Sequence, residues 1–168
     1  MPVDREHILR LYAYHHWAED RLLDAFAPIT AAQLDRQWGG SFGTGRALLR
    51  HVVGVDRVWC DRWSGTSPKA APEYPVSHAG KDFRAEWEKI KKDQDRFLQG
   101  LTRERLGSQL TYVNLKGETW TYPVADVLVH VANHGTYHRG QLAHLLRDLG
   151  QAPPSTDYLD FLDGKRSR

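Results

Sequence analysis

The sequence predicts an all-α fold, an antiparallel up-down four-helix bundle with a short β-hairpin before the fourth helix. Two observations lead there. Four long stretches repeat apolar residues at helical spacing, and proline or glycine punctuates them. One short run between the third and fourth stretches carries strand formers instead. Four amphipathic helices in a chain of 168 residues bury their stripes most simply against one another, as a single domain over residues 1–168.

The first helix runs from about Asp4 to Ala27, where Pro28 stops it, and carries the stripe Ile8, Leu11, Tyr12, Leu22, Leu23 and Phe26. A loop with Gly39-Gly40-Ser41-Phe42-Gly43 follows. Thr44 caps the second helix, about Gly45 to Ser64, and Gly65 ends it. Pro68, Pro72 and Pro75 make Thr66–Gly80 a loop that crosses between helix pairs. The third helix, about Lys81 to Leu101, is mostly charged apart from Phe83, Trp87, Ile90, Gln94 and Phe97. Thr111-Tyr112-Val113 and Thr119-Trp120-Thr121-Tyr122 flank Lys116-Gly117 and read as a hairpin. Pro123 then opens the fourth helix at its first position, and Gly150 follows its end at about Leu149. Tyr158, Leu159, Phe161 and Leu162 are expected to pack a short terminal turn back onto the bundle.

Composition narrows the function classes. Hydrophobic residues are 40% and charged residues 26%, ordinary values for a soluble globular protein. A net charge of +2 gives no electrostatic footprint for nucleic acid, and the basic run Lys165-Arg166-Ser167-Arg168 reads as a solvated terminus. Cys60 is the only cysteine, so no intrachain disulfide forms. No stretch approaches the roughly 18 apolar residues of a membrane span, and the start Met-Pro-Val-Asp-Arg-Glu lacks the apolar core of a signal peptide. A cytoplasmic protein without membrane or nucleic-acid partners is expected.

Helical phase, at about 100° per residue, sorts the nine histidines. On the fourth helix the apolar stripe is Val124, Val127, Leu128, Val131, Leu142, Leu145, Leu146 and Leu149. His138 falls near its centre, His134 on its shoulder and His130 farther out. His51 sits on the shoulder of the second helix's stripe, Leu48, Val52, Val55 and Trp59. Three imidazoles therefore point inward with no apolar purpose. Singly, each reads as a core histidine bonded to backbone or a tyrosine; together, they make a facial set of metal ligands with open positions for water or substrate. His15 and Glu19 fall in the middle of the first helix's stripe. Either they form a salt bridge or solvated kink, or they line the triad's cavity, with Glu19 as general base or extra ligand. Other constellations fail. His134-Gly135 lacks the Glu of a His-Glu-x-x-His peptidase, no Gly-rich phosphate loop follows a strand, and the Glu-x-x-His pairs of a di-iron bundle are missing.

The chain resembles the DinB/YfiT-like family of metal-dependent enzymes over nearly its whole length. The likeness begins with Tyr14-x-x-Trp17-Ala18-x-x-Arg21-Leu22-Leu23 and continues with Leu48-Leu49-Arg50-His51-Val52-Val53 and Trp59. Its most specific part is His130-Val-Ala-Asn133-His134-Gly-Thr-Tyr137-His138-Arg139-Gly140-Gln141, followed by Leu145-Leu146-Arg147-x-Leu149-Gly150 and Asp157-Tyr158. The resemblance implies an up-down four-helix bundle whose divalent metal is held by His51, His134 and His138. It also implies a homodimer and chemistry like that of thiol-dependent transferases or isomerases. Where the family often has Asn in the first-helix motif, this chain has His15 and Glu19, which puts direct transfer of an activity in doubt.

These residues lead to one expected function. It is a divalent-metal-dependent enzyme, with zinc or nickel favoured and iron an alternative, acting on a small molecule by hydrolysis or by thiol-type transfer or addition. A thiol cosubstrate fits the second chemistry. The rival is a non-catalytic metal- or ligand-binding protein serving a stress response. Gln141, on the same side as His134, is a candidate to fix a ring's tautomer.

Overall fold

Asp4 starts the first helix: its Oδ1 accepts the His7 N–H at 2.8 Å, and α1 runs over Arg5–Phe26. The structure is a computed structural model that describes residues 3–164, so the basic run at 165–168 and the first two residues lie outside the described residues. After α1 comes α2 (Ala31–Leu34), closed by Thr30 and Gln33, each of whose side chains accepts the other's backbone N–H. The sequence reading makes this stretch a loop. One turn is too short for apolar periodicity, and only its Thr-x-x-Gln spacing betrays it. Thr44 caps α3 (Gly45–Trp63) by accepting the Ala47 N–H at 3.2 Å.

The next helix, α4 (Gly80–Gln99), begins where the chain touches the end of α1. A Cβ on Gly80 would meet the Phe26 carbonyl oxygen at 1.7 Å, and the Gly80 N–H donates to Ile29 O at 2.9 Å. Thr102 then caps a second unforeseen short helix, α5 (Arg103–Gly107). The hairpin forms as expected, β1 (Gln109–Val113) antiparallel to β2 (Thr119–Pro123), with Tyr112 opposite Trp120. Pro123 pairs with Gln109 as the last residue of β2, so α6 (Val124–Asp148) starts one residue later than the proline rule suggests. In α7 (Tyr158–Leu162) only one side meets the bundle. Tyr158 and Phe161 lie 5.0 and 5.8 Å from the Tyr14 ring, whereas Leu159 and Leu162 are exposed rather than packed.

The molecule is thus mostly helical, with four long helices and one small two-stranded antiparallel sheet. Both α1 and α3 pack against α4 and α6. The side chains between them form two apolar clusters. One gathers Leu22, Phe26, Leu48, Val53, Phe83, Trp87 and Leu145; the other gathers Ile8, Tyr12, Trp63, Leu98, Leu128 and Val131. Fully burying one such side chain is worth about 1.5–3 kcal/mol, so the two clusters supply the main cohesion. Every long helix also carries buried polar residues between the clusters. They are His15, His16 and Glu19 on α1, Asp56 on α3, Gln94 on α4, and His138 and Arg139 on α6.

Close approach of α1 to α6 at this level depends on Gly135. A Cβ there would lie 2.6 Å from His15 Cε1, 2.9 Å from His15 Nδ1 and 3.0 Å from Arg139 Nη1. Gly140, on the same helix, faces open space. Gly135→Ala should therefore destabilise by about 1–3 kcal/mol through overpacking. Gly140→Ala should stabilise by about 0.5–1 kcal/mol through helix propensity. Thermal unfolding of the two variants checks both the sign and the contrast.

Candidate metal centre

Three imidazoles converge where α3 meets α6. His138 Nε2 lies 3.0 Å from His51 Nε2 and 3.0 Å from His134 Nε2. One ligand atom from each residue lies within 4.8 Å of the others, the only such group among the described residues. Imidazole nitrogens about 2.0–2.1 Å from a shared ion stand about 3.0–3.4 Å apart, so the two 3.0 Å separations suit a common cation. The helical spacing explains the geometry: His134 and His138 are one turn apart on α6, and His51 reaches across from α3.

Hydrogen bonding prepares the rings for that role. His138 Nδ1 lies 2.7 Å from Gln141 Oε1, and an amide oxygen only accepts. The Nδ1 therefore carries the proton, and the Nε2 lone pair faces the other two rings. Sequence placement pairs Gln141 with His134; in the structure it holds His138, because a residue three positions on leans back over the preceding turn. The Phe42 ring, from the loop before α3, lies 4.9 Å from His51 and 5.9 Å from His138 and forms an apolar wall. Burial, reinforced by the neighbouring His138 and His134 rings, lowers the His51 pKa to about 4. Burial and the His138 and His130 rings also lower that of His134. Both rings are thus neutral donors near pH 7. His130 is exposed and lies outside the convergent group, stacked on His134 at 5.8 Å.

His15 and Glu19 have a different setting. Glu19 Oε1 accepts from Arg139 Nη1 at 3.2 Å. The same Nη1 lies 3.1 Å from His15 Nδ1, and since arginine only donates, that nitrogen accepts. His15 Nε2, 3.3 Å from Asp56 Oδ1, then donates to the carboxylate. Gln94 Nε2 donates to Asp56 Oδ1 at 3.0 Å, and His16 Nε2 donates to Gln94 Oε1 at 2.8 Å. The chain Glu19–Arg139–His15–Asp56–Gln94–His16 thus joins all four long helices, and its members lie outside the three-imidazole group. Two atoms are left over: Glu19 Oε2 and Arg139 Nε are buried without a partner. Burial pushes the Glu19 carboxyl above its ordinary range against the opposing pull of Arg139.

Sequence reasoning passed over Arg139 and Asp56. Asp56 follows Val55 on the second helix's apolar stripe, a signal of the same kind that exposed His15 and Glu19. Arg139 gave no such signal, because a charged residue beside a stripe normally reaches solvent. Cys60 is buried, and burial pushes its thiol up to about 11, which leaves it a packing residue.

Compared with known proteins, residues 1–168 match the model of the DinB family. Over 157 residues the chain is 28% identical to Protein DinB of Bacillus subtilis (strain 168), covering 89% of this chain and 90% of that protein. A solved DinB-like protein from Bacillus cereus ATCC 10987 is similar at a TM-score of 0.71 with 22% identity, over 89% of this chain and 95% of that one, a likeness of fold.

The buried pair and the lowered imidazoles each generate an expectation. Arg139→Ala strands the Glu19 carboxylate in the core and should cost about 3–5 kcal/mol. Adding Glu19→Gln should recover part of that loss, as read by thermal unfolding. For His51, the unfolded pKa is the ordinary 6.5 and the folded one about 4. Above pH 6.5 the ring is neutral in both states and costs nothing. As pH falls from 6.5 toward 4 the unfolded chain takes up the proton first, so stability falls. The melting temperature of chelator-treated protein should drop across that window, and His51→Gln should flatten the drop.

Proposed function

Because this chain belongs to the DinB family and draws three imidazoles onto one point, we propose that it is a divalent-metal-dependent enzyme acting on a small molecule. The reaction class is hydrolysis, or transfer or addition of a small nucleophile such as a thiol. Convergence of His51, His134 and His138 carries the reading, supported by the Gln141 bond that sets the His138 tautomer. These three side chains would hold the ion, and zinc or nickel suits three neutral nitrogen donors, with iron next. A bound divalent ion supplies Lewis acidity, which polarises a carbonyl or acidifies a water or thiol. Gln141 keeps one ligand ring in place, and Phe42 screens two of them from water. The full reading takes the four long helices as an antiparallel up-down bundle, the protein as a homodimer in the cytoplasm, and a thiol as cosubstrate. No described helix is long and apolar enough to cross a membrane, which is consistent with that setting.

One observation favours a second reading, a non-catalytic metal- or ligand-binding protein. Among the described residues, the group that could hold a metal contains no carboxylate, and Glu19 is engaged by Arg139. Under the enzyme reading Glu19 and His15 act as pocket residues, with Glu19 the base; under the second they are structural.

Elemental analysis of protein purified without a histidine tag decides the first question. The native protein should carry about one divalent ion per chain; His51→Ala and His138→Ala should each lose most of it, and His130→Ala should keep it. Gln141→Leu should weaken the ion's binding about 10–100-fold. A metal-free native protein, or equal loss at His130, overturns the assignment. Glu19→Gln that keeps metal but abolishes turnover of a thiol or ester substrate supports the enzyme. Tight binding of one metabolite with no turnover supports the alternative.

A further inference from the structure

We propose that the cavity between the hairpin, α3 and the start of α6 is a binding site for a small organic cation. Its volume is about 330 Å³, and its walls are Trp59, Tyr112, Tyr122, Asp126, Val127 and His130. That volume sits at the small end of ligand pockets, which run from about 300 to 1,000 Å³. Three of the six walls are aromatic and one is a carboxylate. Aromatic faces carry negative charge density and attract cations, most strongly when water is excluded. Trp59 is buried and Tyr112 meets it edge to face at 5.0 Å, so this part of the wall is built into the core.

Asp126 decides the ligand's charge. It is an exposed residue in the first turn of α6 and has no side-chain hydrogen bond or ion pair among the described residues. An anion would be repelled by that carboxylate, and a neutral guest would gain nothing from it. A cation satisfies both the carboxylate and the rings. The same rings already bear one: Arg62 Cζ lies 4.6 Å from the Trp59 centroid and 4.5 Å from that of Tyr112, and this guanidinium is not part of the cavity wall.

The cavity adjoins the imidazole group. Asp126, His130, His134 and His138 follow one another at four-residue steps, each about 40° further round α6, so the row winds from the exposed Asp126 to the buried His138, and the His130 ring stacks on that of His134. Resting on the function proposed above, the substrate would be a small amine or quaternary ammonium compound, its cationic end at Asp126 and its reacting group toward His134. The cation preference of the cavity itself does not depend on that function.

Chelator-treated, untagged protein titrated with benzyltrimethylammonium, benzyl alcohol and benzoate tests this, with tryptophan fluorescence and calorimetry as readouts. The cation should bind about tenfold more tightly than either counterpart. Asp126→Asn and Tyr122→Ala should each weaken the cation several-fold, and Asp126→Asn should leave benzyl alcohol unchanged. No binding, equal binding of the three probes, or a cation affinity indifferent to Asp126→Asn overturns the inference. His51→Ala should leave cation affinity within about twofold. Cation selectivity in a protein that carries no metal when isolated would keep this site and sink the metal function; bound metal without selectivity would do the reverse.

Discussion

Polar groups taken out of water must find one another, and that constraint organises the middle of this molecule. Two apolar clusters supply cohesion above and below a layer in which every long helix contributes a buried polar side chain. Left unpaired, each such group would cost on the order of 1–3 kcal/mol, so the helices are held at the register that lets the layer close on itself. The chain from Glu19 through Arg139, His15, Asp56 and Gln94 to His16 is that closure. A sliding of one helix by a single turn would break several of these bonds at once, whereas an all-leucine layer would tolerate it.

The layer and the imidazole group share α6. His138 and Arg139 are sequence neighbours about 100° apart around the helix, so one faces the convergent rings and the other faces α1. Gly135 opens the space that lets His15 approach Arg139. A histidine ladder and a structural ion pair are thereby interleaved on one helix, and the rigidity of the second serves the geometry of the first. Ring positions good to a few tenths of an ångström require such support.

Electrostatics separates the two neighbouring sets by function. Burial and the neighbouring imidazoles lower the proton affinity of His51 and His134, which stand as neutral donors. In the network, acceptor and donor alternate, so His15 is held in a single tautomer between a cation and an anion. Asp56 Oδ1 is at once acceptor for His15 and for Gln94. Glu19 Oε2 and Arg139 Nε stand outside the alternation.

Phase within a helix is a local property, and it was legible. Apolar spacing located the four long helices to within a few residues, strand formers located the hairpin, and the angles of His51, His134 and His138 singled them out before any contact was known. One-turn elements such as α2 and α5 have no phase to read, and Pro123 obeyed its strand partner Gln109 rather than the helix that follows. By itself, then, the sequence determined the inward faces of the long helices, the buried Arg139 apart. Only the tertiary structure decided whom they face: Gln141 with His138, Arg139 with Glu19 and His15, and the outlying His130 with Trp59. The reason is physical, since direction comes from local backbone geometry, but partnership is set by how neighbouring helices pack.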